Sequence, residues 1–126
     1  MSVLVDTCGW IEWLTEGELV ESFKPYMLQP GELVLPTAIQ FELYKWLKRE
    51  IGEVEALDAI ALGDSSTIIP LTTSISLLAA DLALAHQLSF ADAIIYATAQ
   101  HENVELITSD DHFKGLSGVI YFPKIS

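Results

Sequence analysis

The sequence predicts an α/β fold in which a parallel β-sheet is flanked by α-helices on both faces. Three observations carry that expectation. Short apolar runs rich in Val, Ile and Leu recur along the chain, the pattern of strands buried in a parallel sheet. Longer stretches of helical pattern separate them, so strand and helix alternate. Pro25, Pro30, Gly31, Gly52, Gly63, Gly115 and Gly118 read as breakers between these elements.

In chain order, the first run is "SVLVD", closed by Asp6. An acid that ends an all-apolar strand is partly buried and costly unless paired, so a surface role suits it poorly. A helical pattern over 18–28 precedes the second run, "ELVLPT". The next helix is expected over 37–50, with Thr37 and Gln40 as a capping box and Ile39, Leu43, Trp46 and Leu47 as its apolar stripe. A further helix over 54–62 leads to the run "TIIPL". Two helices, 74–88 and 89–101, come before "VELIT", and the last run is "GVIYF".

The 126 residues fit one domain, expected to span 1–126. Although 51% of residues are hydrophobic, no stretch approaches the roughly 20 uncharged residues of a membrane span, and the richest run, 75–88, is interrupted by Asp81. No export signal is evident at the N-terminus, and a single cysteine, Cys8, suits a reducing cytoplasm, so a cytoplasmic protein with no membrane association is expected. Six basic against 18 acidic residues give a net charge of −12, which repels nucleic acid at long range. An acidic pocket for a cation, or a basic partner protein, is the simpler expectation. Part of the apolar surplus, including Trp10, Trp13, Phe41, Tyr44 and Trp46, is expected at an interface, with the domain core as the competing place for each.

Ligands of open α/β sheets sit beyond the carboxyl ends of the strands, where acids from distant parts of the chain converge. Asp6 ends the first strand, Glu42 and Asp92 lie early in helices, and Asp110 follows "LIT". Four close carboxylates raise one another's pKa and call for a counter-charge; Mg²⁺ or Mn²⁺, which take hard oxygen ligands, supplies it. Simpler roles stay open for two of them. Ser89 and Asp92 fit a capping box, and Glu42 has Lys45 and Arg49 beside it as ion-pair partners. The cluster Lys45, Lys48 and Arg49 suits either phosphate contact or a solvated helix face. His86, His101 and His112 show no paired ligand spacing, Cys8 reads as a small core residue, and no phosphate-cradling glycine loop or serine-hydrolase elbow occurs.

Four segments, "VLVDTCGWIEWL", "LPTAIQFELYKWLKRE", "LSFADAIIYATAQ" and "LITSDDHF", together resemble the PIN-domain endoribonucleases, particularly the VapC-type toxins of toxin–antitoxin pairs. The resemblance implies a PIN-like, Rossmann-like three-layer sandwich with Asp6, Glu42, Asp92 and Asp110 gathered at one sheet edge around one or two Mg²⁺ or Mn²⁺ ions. It also implies hydrolysis of single-stranded or loop RNA by a metal-activated water, a homodimer, and a cognate antitoxin whose tail occupies a groove beside the site. Thr7 and Thr108 fall where the family carries hydroxyls that orient the acids. Lys45, Lys48 and Arg49 become the candidates for RNA contact, and the five aromatics named above the candidates for dimer or antitoxin contact. Cys8 departs from the family's usual small polar residue. In "TSDDHF" the pattern assigns Asp110 to the metal, Asp111 to the start of a helical turn, and His112 to a place near the pocket without a ligand role.

Two other classes fit less well. A PIN-like interaction module with an idle pocket has no need of four acids. A phospho-accepting receiver domain wants an acid ending its third strand, which "TIIPL" lacks.

Overall fold

Every strand pair is parallel, and the order of the strands decides where a site can form. The structure is a computed structural model that describes residues 2–125. Its strands are β1 (Val3–Val5), β2 (Val34–Pro36), β3 (Thr67–Ile69), β4 (Glu105–Thr108) and β5 (Val119–Tyr121). β4 lies between β1 and β5, while β2 pairs with β3. A bridge between Val3 and Leu33 joins the two sets, which gives the order β3-β2-β1-β4-β5. The chain therefore builds outward from β1 in one direction, then crosses back to β4 on its other side. A crevice opens at such a switch, beyond the carboxyl ends of β1 and β4.

The helices are α1 (Thr7–Thr15), α2 (Val20–Met27), α3 (Thr37–Glu50), α4 (Glu53–Leu62), α5 (Thr73–His86) and α6 (Phe90–His101). Right-handed crossovers on either side of the switch put α1 to α4 on one face of the sheet and α5 and α6 on the other. Consistent with that, α1 packs on α2, α3 on α4, and α5 on α6. Leu4, Val5, Leu106 and Ile107 of the two central strands are fully buried, as are Phe23 from α2, Ile39 from α3 and Ile95 from α6.

Several expectations need correction. The segment just after Asp6 has no helical reading in the sequence, yet it forms α1. Gly9 and the close-set tryptophans mask the helical pattern, and the helix forms because Asp6 caps it and because Gly9 lets it approach the sheet. Trp10 is buried, at 2% exposure, and belongs to the core rather than to an interface. Pro25, read as a breaker, lies inside α2, a short helix held down by buried Phe23 and Met27 despite the lost backbone donor. The Thr37–Gln40 capping box does not form: Thr37 is already helical, and Pro36 stands at the cap position without a side-chain bond. β3 is an exposed edge strand rather than a buried one, with Ile68 open to solvent.

A Cβ at Gly9 would lie 2.4 Å from Val5 Cγ1 and 2.7 Å from the Phe23 ring. Both neighbours are fully buried and cannot retreat. Gly9→Ala is expected to lower unfolding free energy by about 1–3 kcal/mol, measured by urea denaturation; an unchanged midpoint would show that α1 does not press on the sheet there.

Candidate functional site

The carboxyl edge of β1 is tied to that of β4 through one side chain. Asp6 accepts the Thr7 N–H on Oδ1 at 2.8 Å and the Thr108 hydroxyl on Oδ2 at 2.8 Å. The Thr108 oxygen in turn accepts the Asp110 N–H at 2.9 Å, so the two acids are linked across the switch point by a single hydroxyl. Asp6 is 4% exposed, and its own N–H donates to Ile107 O. Thr7 performs a second tie: its hydroxyl donates to Glu42 Oε1 at 2.7 Å, fixing an α3 side chain to α1.

Asp92 enters from the first turn of α6. Ser89 caps that helix by accepting the Asp92 N–H at 3.4 Å, and its hydroxyl also stabilises the Asp92 carboxylate. Asp92 Oδ2 faces His112 Nδ1 at 3.3 Å, and the same nitrogen lies 2.8 Å from Asp110 Oδ1. Asp110 caps the 3₁₀ turn Asp111–Phe113 by accepting the His112 N–H at 2.9 Å. Asp111 stands at the start of that turn, and its carboxylate accepts the Tyr121 hydroxyl on β5, so the two adjacent aspartates diverge.

A cleft of about 380 Å³ is lined by Asp6, Thr7, Cys8, Glu42, Asp92 and Asp110, together with Lys45, Arg49 and Lys124. Burial pushes the Asp6 carboxyl up to about 7, with the charges of Asp92 and Asp110 adding to the effect and its hydrogen bonds opposing it. Asp92 is raised as well, first by burial and then by the charge of Asp110. The site therefore holds acids whose negative charge lacks full compensation. Burial likewise pushes the Cys8 thiol up to about 11, so it stays protonated; its sulfur accepts the Ser109 N–H at 3.4 Å. A set of carboxylate oxygens with raised proton affinity fits a hard divalent cation.

A PIN-domain family profile matches residues 3–119. The chain belongs to the PIN-domain family. Among solved structures, a chain from a toxin–antitoxin complex of Klebsiella pneumoniae is similar at 26% identity and a TM-score of 0.82, covering 98% of this chain and 100% of that one. The fold is shared with VapBC2 of Rickettsia felis, solved with a promoter DNA fragment, at 14% identity, TM-score 0.75 and 98% coverage of both chains. It is also shared with VapC20 of Mycobacterium tuberculosis, a sarcin–ricin-loop-cleaving toxin, at 20% identity and TM-score 0.70 over 82% of this chain and 85% of that one. No curated protein sequence matches significantly.

Within this PIN domain the sequence-predicted residues divide. Asp6, Thr7, Glu42, Asp92 and Asp110 line one cleft, and Thr108 sits fully buried behind Asp6. Lys45 and Arg49 line it too, whereas Lys48 does not: it pairs with Glu53 at 3.3 Å and lies over the Tyr44 ring. Phe41, 66% exposed, and half-buried Trp46 line the cleft, while Trp13 lines an apolar hollow on the α1–α2 side. Two residues went unassigned in the sequence. Lys124 reaches the cleft because β5 runs parallel to β4, and the register Thr108↔Tyr121 carries the following residues to the same edge. His112 was placed near the pocket without a role, yet the spacing Asp110-x-His112 puts both on one tight turn.

The raised Asp6 pKa sets the sign of a pH effect. The folded protein binds the Asp6 proton more tightly than the unfolded chain, so stability from this group is fully present below about pH 4 and lost as pH rises toward about 7. In EDTA, Asp6→Asn is expected to match wild type in acid and to be more stable by about 4 kcal/mol above pH ~7. Denaturant curves across that range check it; parallel pH profiles would contradict it.

Proposed function

We propose that this PIN domain is a metal-dependent endoribonuclease that hydrolyses single-stranded or loop RNA, the toxin of a toxin–antitoxin pair. The observation that carries the reading is the composition of the cleft. Four acids from β1, α3, α6 and the β4 turn meet there, and of the six basic residues in a chain of net charge −12, three line the same cleft. An acidic pocket alone would repel a polyanion. Acids beside Lys45, Arg49 and Lys124 instead suit a phosphodiester bound next to cations held by carboxylates.

Asp6, Glu42, Asp92 and Asp110 would hold one or two Mg²⁺ or Mn²⁺ ions. Such ions, when bound, supply charge neutralisation at the scissile phosphate and a more acidic water. The chain's own part is preorganisation. Thr108 holds the Asp6 carboxylate and Thr7 holds Glu42, so neither acid must reorient when the substrate arrives. Lys45, Arg49 and Lys124 neutralise flanking phosphates and set the path of the strand. Cys8 contributes packing and a weak acceptor for Ser109 N–H rather than a nucleophile. Metal-free ribonucleases work with paired acid and base groups, usually two histidines. Here His86 packs on Tyr96 and His101 pairs with Glu102, which leaves His112 alone at the cleft.

Two apolar surfaces support two protein partners, a second copy of the chain and a cognate antitoxin. Exposed Phe41, Leu71 and Phe90 line one hollow with Ile94, and Trp13, Leu28 and Leu62 line another with Met27. A single cytoplasmic domain over residues 1–126 fits this reading.

Asp110→Ala is expected to reduce RNA cleavage by about 100-fold or more, whereas Asp111→Ala changes it by less than about 3-fold, because the first faces the cleft and the second faces Tyr121. Cleavage of a labelled RNA by the two variants tests this, and equal losses would put the site in the wrong register. Excess EDTA should stop the wild-type reaction; unchanged cleavage would refute metal dependence.

A further inference from the structure

His112 occupies a position that the four-acid reading does not use. Its side chain is 72% exposed at the cleft rim, yet its Nδ1 sits between two carboxylates from separate elements, 2.8 Å from Asp110 Oδ1 and 3.3 Å from Asp92 Oδ2. One donor atom from each of the three residues lies within 4.8 Å of the others. Ligands at right angles around an ion that binds them at ~2.1 Å are about 3 Å apart, which the two His112 contacts match. The turn that carries the ring is also held in place. Asp110 accepts the His112 N–H, and the next residue, Phe113, is fully buried.

We propose that His112 is a nitrogen ligand to the divalent ion held by Asp92 and Asp110, and that it biases this position toward Mn²⁺ over Mg²⁺. The inference rests on the metal-dependent reading above and adds a residue and a selectivity to it. Carboxylates favour neither ion strongly, whereas imidazole nitrogen suits transition ions and adds little for Mg²⁺. A neutral imidazole whose proton sits on Nε2 presents its one lone pair at Nδ1, the ring atom that lies beside both carboxylates.

The test uses the full chain and Mn²⁺ alone. Pulsed electron paramagnetic resonance on the Mn²⁺-loaded protein should detect ¹⁴N coupled to bound Mn²⁺ in wild type and none in His112→Ala. Calorimetry should show Mn²⁺ affinity falling about 10-fold in that variant, with Mg²⁺ affinity changing less than about 3-fold. His112→Asp should restore tight binding without nitrogen coupling and without the preference for Mn²⁺. Mn²⁺ bound to wild type with no ¹⁴N coupling, or coupling that survives in His112→Ala, overturns the His112 assignment and leaves metal dependence standing. Failure of wild type to bind Mn²⁺ at all overturns both.

Discussion

The Asp6 carboxylate is the point on which the sheet, the first helix and the cleft all depend. It caps α1, accepts the Thr108 hydroxyl from the end of β4, and through that hydroxyl reaches the Asp110 N–H. A buried acid of this kind is expensive in an apolar surrounding, and its hydrogen bonds offset only part of the penalty, since its pKa remains near 7. What makes the arrangement useful is the strand order. Because β1 and β4 are adjacent and parallel, their carboxyl ends meet at the switch point, and the groups that follow them must share one space.

The same tie explains why the hydroxyls matter as much as the acids. Thr7 and Thr108 each donate to a carboxylate from a different element, so Glu42 of α3 and Asp6 of β1 are located by contacts across 35 and 102 residues of sequence. Holding the Asp6 carboxylate in a buried place raises the cost of its negative charge, a cost that a nearby cation would lower. The basic residues are distributed to complement it. Lys45 and Arg49 on α3 and Lys124 beyond β5 line the cleft, while Lys48, one helical turn along from Lys45, turns outward to Glu53.

Much of the fold was legible in the sequence because a parallel α/β architecture writes itself as alternating patterns. The helix 37–50 has the bounds of α3, and the runs "SVLVD" and "VELIT" contain β1 and β4. α1 was not legible, because its helical face is set by Gly9 closing on Val5 and Phe23, a long-range contact with no local signature. Trp10 illustrates the same limit: composition suggested too many aromatics for the core, but the folded chain buries it to 2% exposure. At the cleft, acids at strand ends could be found by position alone. Which cations join them could not, since Lys45 and Lys48 lie three residues apart on one helix yet face different neighbours, and Lys124 depends on the register of β5. His112 lies on a 3₁₀ turn whose geometry follows from the Asp110 cap rather than from any periodic pattern.

Whether the carboxylates gathered at the switch point hold a divalent cation can be read from anomalous diffraction at the manganese edge, using crystals of the full chain soaked in Mn²⁺. An anomalous peak is expected inside the cleft, at about 2.2 Å from carboxylate oxygens drawn from Asp6, Glu42, Asp92 and Asp110. A well-occupied peak elsewhere on the molecule with the cleft empty of signal would contradict that expectation.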